Sequence, residues 1–344
     1  MPVNHVIYDN KTLIDLRSDT VTPDTLAEGS TAHDAAGNKI AGTMKPSVTL
    51  TSISVTTPPT KTTYTAGDTF DPAGMVVAAT YTNGTQIEVG GYLFSPNTEL
   101  KIGDSVVTVY YAEAGVSVST TISITVEKRY DDVFANNTWA QIIEACERNE
   151  VPETWVVGNN KLMSIGGKDY RMDIIGKKHD TYTAGGIAPL TFQMHDSYVG
   201  GKQMNTTATN AGGWRDSVMR NVHLPALLYN LPAEVIAGIK EVNKKTTTGS
   251  TGTSVVTTAD KLFLLSEVEI FGTTTYSQGG EGSRYAYYAA GNSAAKTTNG
   301  NVNVWWERSP YRYNTTDFCR VGGYGTPSYD TATSDPAIAF AFCF

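Results

Sequence analysis

Trp305–Phe344 reads WWERSPYRYNTTDFCRVGGYGTPSYDTATSDPAIAFAFCF. From Tyr311 onward it contains no Lys, Glu, Gln, Met or Trp, although those five types fill 49 of the preceding 310 positions, so roughly five would be expected. What remains is Tyr, Arg, Asn, Thr, Asp, Gly, Ser, Ala and Pro on a thin apolar frame of Phe318, Cys319, Val321, Ile338, Phe340, Phe342 and Cys343. A codon randomised at its first two bases, with a pyrimidine held third, encodes Tyr, Ser, Thr, Asp, Gly, Arg, Ala, Pro, His or Asn, but none of the five missing types and no stop. Tyr supplies large amphipathic contact area at low entropic cost, and Ser, Gly and Thr supply adaptable hydrogen bonding, so this is the composition of a binding surface. Composition alone also fits a Gly/Tyr-rich loop in an ordinary β-domain, since Thr246–Thr258 lacks the same five types.

Moving back along the chain, GGW at Gly212–Trp214 with Met219–Arg220 is followed by LP at Leu231–Pro232, VNK at Val242–Lys244 and DKLFLLSEVEIFG at Asp260–Gly272. WWERSP at Trp305–Pro310, FC-x-V at Phe318–Val321 and the closing AFAFCF complete the set. From Trp155 onward the chain thereby resembles the C-type-lectin-fold variable proteins of diversity-generating retroelements, found in phages and prophages of gut bacteria. The resemblance implies a C-type-lectin-like α+β head whose tail, about 305–344, is a variable binding surface. The ligand-binding residues it implies are Tyr311, Arg312, Tyr313, Thr315, Thr316, Asp317, Arg320, Gly322, Gly323, Tyr324, Thr326, Ser328, Tyr329, Asp330, Thr331, Thr333 and Asp335. These are expected on one exposed face, with Phe318, Val321, Ile338, Phe340 and Phe342 buried beneath.

Ahead of the head, Ser47–Lys128 carries alternating apolar patterns at Leu50–Val55, Met75–Tyr81, Ile87–Val89, Val107–Val109 and Val116–Val126. Short strands at regular spacing predict a β-sandwich, and Asn83-Gly84 predicts a type I′ hairpin. Thr62–Gly84 resembles bacterial Ig-like domains, which implies a spacer. Glu127–Asp132 reads as a charged linker.

Met1–Pro46 is short of large apolar residues and too small to fold alone. Its TPDTLAEGSTAHDAAGNKIAGT at Thr22–Thr43 resembles repeats of phage tail and baseplate proteins, implying a β-structure that is trimeric or attached to a particle. The apolar pairs Val6-Ile7 and Leu13-Ile14 point the same way, toward burial between copies. The expected architecture is therefore mainly β: an N-terminal β-segment (1–46), an Ig-like β-sandwich (47–128) and a C-type-lectin-like α+β domain (129–344).

Within 129–344, Asn137 or Thr138 is predicted to cap a helix Trp139–Asn149, ended by Pro152. A second helix is predicted through Trp214–Arg220, and a third over Ala233–Asn243 with Pro232 at its first turn and Val235, Ile236, Ile239 and Val242 on its apolar face. Leu262–Leu265 reads as a buried strand. The loops around Gly249–Ser254 and Gly279–Ser283 are candidates for binding.

Other chemistries are less well supported. A net charge of −8 with only two adjacent lysine pairs, Lys177–Lys178 and Lys244–Lys245, argues against nucleic acid. No apolar run approaches the ~20 residues that span a bilayer, and Met1–Asn10 lacks the order of a signal peptide, so no membrane insertion and synthesis in the bacterial host cytoplasm are expected. Cys146 falls on an apolar helical stripe. Cys319 and Cys343 sit in similar FC strands that could be neighbours, as a bridge or, better suited to cytoplasmic assembly, as two buried thiols. His179-Asp180 and His195-Asp196 lack the partners of a metal phosphohydrolase, and Asp169, Asp173 and Asp180 are too loosely spaced for a calcium loop. The calcium cage of sugar-binding lectins and the surroundings of the cysteine pair in formylglycine-generating enzymes, which share the broad fold, are likewise not visible. No catalytic residue, metal or cofactor is expected. Trp305 and Trp306 read as structural, and Glu307 and Arg308 as a local surface pair of about 0.5 kcal/mol.

The functional expectation is a phage receptor-binding protein at a tail-fibre tip. Its partners would be a host-cell surface protein or glycan, other copies of itself in a homotrimer, and tail or baseplate proteins through the N-terminal segment. Its location would be the virion. The alternative is a surface adhesin of a commensal bacterium, on the bacterial cell surface, carrying the same head.

Overall fold

The computed structural model describes residues 1–344. The chain is mainly β and separates into two compact units, Met1–Arg129 and Tyr130–Phe344. Glu127–Asp132 is thus not a free linker: Glu127 ends a strand in the first unit, and Tyr130 is buried in the core of the second.

The first unit opens with two hairpins, His5–Tyr8 with Lys11–Asp15 and Thr31–His33 with Lys39–Ala41. The Asp34 carboxylate closes the second by accepting the N–H groups of Ala36 and Asn38 at 3.0 and 2.8 Å. Gly42 is required there, because a Cβ would lie 2.1 Å from the Ala27 carbonyl oxygen. No apolar side chain before Leu50 is buried, whereas Val3, Ile7, Tyr8, Leu13, Ile14 and Met44 are exposed.

From Leu50 on, two three-stranded antiparallel sheets share one core. One holds Leu50–Thr57, Val76–Tyr81 and Gln86–Val89; the other holds Leu93–Ser95, Val106–Glu113 and Val116–Ser123. Alternation brings Ile53, Val77, Ala79, Val107, Val109 and Ile122 inward, where Tyr64, Phe70 and Leu100 join them. The turn at Asn83-Gly84 corrects the sequence reading. Only Gly84 has positive φ (79°), so the loop is not type I′. Its bonds, Gly84 N–H to Tyr81 O and Tyr81 N–H to Thr85 O, are those of a three-residue loop with a glycine bulge. Within the sandwich a hairpin tip with two left-handed residues lies instead at Ala114-Gly115, with φ of 50° and 83°.

In the second unit Thr138 caps the helix Trp139–Glu147 in a capping box with Gln141. A four-stranded antiparallel sheet follows, ordered Asn160–Ile165, Lys168–Lys177, Leu190–Met194 and Ala341–Cys343. The last strand of the chain therefore pairs with one 150 residues earlier, Phe342 opposite Phe192. Their rings stack 5.3 Å apart and meet Trp139, Phe134 and Phe344 in the aromatic centre of the core. A separate sheet, Trp305–Pro310, Asp317–Val321 and Pro327–Thr331, carries the tail.

Three local expectations change. The helix predicted to reach Asn243 stops at Gly238; Pro232 precedes it as cap, and Ile239 turns extended. Lys240 then donates its N–H to Cys343 and Val242–Thr247 becomes a strand, so sheet pairing overrides a helical period that was merely compatible. The second helix is broken at Ser217: Gly213–Asp216 ends there, and a π turn Met219–His223 leads into Leu224–Leu228. Leu262–Leu265 is buried but is not a regular strand, touching the sheet only where Phe263 bridges Ala341.

Candidate functional site: a tyrosine face on a buried ionic frame

WWERSP sets the geometry of the tail. Trp305 pairs with Val321, Trp306 with Arg320, and then Pro310 with Phe318, so three residues, Glu307–Ser309, lie opposite the single Cys319. This bulge defeats the alternation expected of a strand. Both tryptophans are fully buried, and each indole N–H is matched, Trp305 to the Ala294 carbonyl at 2.9 Å and Trp306 to that of Lys202 at 2.8 Å. Glu307, Arg308 and Ser309 are also fully buried.

The expected surface pair of Glu307 and Arg308 is therefore wrong. Arg308 grips Glu269 with two nitrogens, one at 2.9 Å, and donates further to the carbonyls of Leu264 and Lys245. Glu269 in turn accepts from Lys244 at 2.7 Å, and Lys244 from its other side reaches Asp180 at 2.8 Å. Tyr285 closes the chain on Asp180 at 2.8 Å. Burial alone would push the Glu269 carboxyl up, but Arg308 and Lys244 outweigh it and hold the group ionised; Lys244 does the same for Asp180. Such a network is expensive to desolvate and still more expensive to break, because removing one partner leaves a buried charge alone.

Beside it lie three further buried carboxylates. Glu267 takes the N–H groups of Tyr276 and Ser277, and Glu281 takes the Thr247 N–H and hydroxyl at 2.7 Å each as well as the Ser309 hydroxyl. Glu307 has no hydrogen-bond partner at either oxygen. Burial first, then the neighbouring Glu267 and Glu281, raises its carboxyl well above the ordinary range and favours the neutral form.

Above this frame sits the tail. Phe318, Val321, Ile338, Phe340 and Phe342 are buried, none more than 2% exposed. Tyr313, Tyr324 and Tyr329 are 60%, 94% and 41% exposed. Thr315, Thr326 and Asp335 are exposed, and Tyr311, Arg312, Thr316, Arg320, Gly322, Gly323, Ser328, Asp330, Thr331 and Thr333 are half-buried. The rings of Tyr311 and Tyr329 stack at 4.1 Å, Tyr313 meets Tyr311 edge-on at 5.5 Å, and the Arg312 guanidinium lies 4.6 Å from the Tyr313 ring centre. Arg320 pairs with Asp330 at 2.7 Å across the hairpin, whose tip, Gly322–Gly325, projects Tyr324 outward.

Asp317 does not belong to this surface. It is 8% exposed, and its carboxylate accepts from Asn314 and Thr316 at 2.8 and 2.7 Å, holding the loop that precedes its strand. Asn210 braces the same loop from below, donating to the carbonyls of Tyr311, Asn314 and Asp317. Conversely, Tyr276 was not expected and packs 5.3 Å from Tyr329. Of the two candidate loops, Gly279–Ser283 is drawn inward by the buried Glu281, and Gly249 packs against the Asn210 carbonyl.

The cysteines are three free, buried thiols. Cys319 and Cys343 are not neighbours, since they lie in different sheets. The His-Asp pairs diverge as well: His195 bonds Asp173 at 2.6 Å while Asp196 holds Thr297, and His179 stacks on Tyr285 while Asp180 joins the ionic network. No group of three or more His, Cys, Asp or Glu is arranged to hold a metal ion, and no helix is long and apolar enough to cross a membrane.

Residues 57–126 match the bacterial Ig-like domain, group 3. The first unit carries a bacterial Ig-like domain. Residues 191–340 match a domain of unknown function, DUF6273, a stretch that includes the tyrosine face and all of the ionic frame but Asp180, and that brings no activity with it. No curated protein gives a significant match.

Proposed function

We propose that the chain is a phage receptor-binding protein, carried at a tail-fibre tip, that binds a host-cell surface ligand through residues 311–335. In this reading Tyr130–Phe344 is a C-type-lectin-like head, diversified along its tail, and the Ig-like domain is a spacer. The observation that carries the reading is the separation of tail and frame. Tyr313, Tyr324 and Tyr329 face solvent, while Phe318, Val321 and Phe340 are fully buried, so the face can change without disturbing the core. The pairing of the terminal strand Ala341–Cys343 with the main sheet supports it further, because it fixes the tail at both ends.

The leading segment supports attachment. It buries no apolar side chain yet exposes Ile7, Leu13 and Ile14, which burial between copies in a homotrimer would cover. Three heads would then multiply a weak contact by avidity.

Sequencing the locus across many cells of one culture tests the reading. Substitutions should concentrate at the exposed tail positions and spare Trp305–Pro310 and Phe340–Phe344, with a matching template repeat and a reverse transcriptase gene nearby; an invariant tail with no such repeat would contradict it. Sedimentation of the full chain and of residues 47–344 tests the assembly: a monomer in both removes the trimer.

A further inference from the structure

The tyrosine cluster has a member that lies outside the tail. Tyr276 packs edge-on to Tyr329 at 5.3 Å and tilted against Tyr311 at 5.8 Å, so the centre of the face is a three-ring cluster to which residues 311–335 contribute only two. Its backbone is pinned from the buried frame. The Tyr276 N–H bonds both oxygens of the fully buried Glu267 at 3.0 Å, and the neighbouring Ser277 N–H bonds one of them at 2.7 Å. On its other side the Tyr276 carbonyl accepts the Arg312 N–H at 2.9 Å. Glu267 is itself tied to the bulge, its N–H donating to the Ser309 hydroxyl at 3.1 Å. The ring is half-buried, and its hydroxyl makes no hydrogen bond within the chain, although those of buried Tyr64, Tyr285 and Tyr288 all do.

A tyrosine that is rigid at the backbone, partly open at the ring and free at the hydroxyl is suited to contact a partner, since aromatic anchors that lose little entropy on binding dominate interface energetics. We propose that Tyr276 is a ligand-contacting residue of this face, a fixed aromatic anchor around which the tail residues are varied. The proposal rests on the reading of residues 311–335 as a diversified binding surface. Glu267 is then a positioning residue, which through Ser309 and Tyr276 couples the buried bulge to the surface.

A selection separates the two ideas. The full-length chain is displayed on yeast with positions 311, 313, 315, 320, 324, 329, 333 and 335 randomised, and panned against egg-white lysozyme in four backgrounds: Tyr276, Tyr276→Phe, Tyr276→Leu and Tyr276→Ala. Binders are expected from the Tyr276 and Phe backgrounds, and the Leu and Ala backgrounds should give Kd values weaker by about tenfold or more. Tyr276→Leu keeps apolar bulk and decides the matter should the Ala variant fail to fold. Binders of equal affinity from the Leu background overturn the anchor while leaving the variable surface intact. No binders from any background overturns the variable surface itself, and the anchor with it.

Discussion

Between Leu50 and Val126 the Ig-like domain buries no charged side chain, and the hydroxyl of Tyr64 is the one polar tip in its core. The second unit, behind its tyrosine face, buries Asp180, Lys244, Glu267, Glu269, Glu281, Glu307 and Arg308. On the proposed reading the two cores solve different problems. A spacer would need only a closed sandwich, which alternating Val, Ile and Ala supply with hardly any directional bonds from side chains. A face meant to vary would need its edges held from within, because the exposed residues cannot be relied on to do it. Directional bonds from buried charges provide this: Arg308 fixes the bulge, and Glu267 fixes the loop carrying Tyr276. Whether such polar networks serve specificity rather than stability is a hypothesis for each protein, and it can be tested here.

The largest expected effect is at the network. Arg308→Met should destabilise the second unit by about 3–5 kcal/mol, since it leaves Glu269 with Lys244 alone. Thermal unfolding followed by tryptophan fluorescence would report it, all five tryptophans lying in that unit. A cost under about 1 kcal/mol would mean that the network is not what holds the frame. Phe342→Ala, a cavity in the aromatic centre, should cost a similar 3–5 kcal/mol.

Next is a change of pH dependence. The Glu307 carboxyl is raised in the folded state above its ordinary value of 4.5, so in this window the unfolded chain binds fewer protons. Its contribution therefore weakens the fold as pH rises from about 4.5 toward the folded pKa. Asp180 and Glu269 are depressed and act oppositely, losing their stabilising effect as pH falls through the acid range. Glu307→Gln should match the wild type near pH 4.5 and become progressively the more stable of the two as pH rises to 7.5. Parallel melting curves across that range would show that the carboxyl is not held neutral. In the Ig-like core, with no carboxyl or basic group buried, Ile53→Val should cost about 0.5–1.5 kcal/mol, and the cost should not vary over the same pH range.

The same contrast governs what could be read beforehand. In the Ig-like domain each inward residue is apolar, so period-two patterns at Leu50–Val55 and Val107–Val109 reported both strand and face. In the second unit the informative residues look like surface ones. On a regular strand Glu307 and Arg308 would face opposite sides, and only the bulge, which no local pattern announces, turns both inward. Asp317 has the same composition as its exposed neighbours but is consumed by its own loop. The period over Ala233–Asn243 fits a helix, yet Gly238 and the distant Cys343 strand end it. Ser266-x-x-Glu269 is a capping-box signature that could have marked the helix start on which Glu269 sits. Tyr276 left no signal, because its neighbours come from thirty-five and fifty-three residues away. The buried frame of the tail was legible because Phe318, Val321, Phe340 and Phe342 stand out against polar surroundings.

The smallest stability effect belongs to the face, and it carries the most direct test of the account. The full-length variant with Tyr313→Ser, Tyr324→Ser and Tyr329→Ser should melt close to the wild type, each exposed change falling within about 0.5 kcal/mol. Both proteins, fluorescently labelled, are then assayed by flow cytometry on a panel of bacterial isolates. The account predicts that the wild type binds some of them and that the triple variant loses this binding by at least about tenfold with its fold intact. Undiminished binding by the triple variant would contradict it.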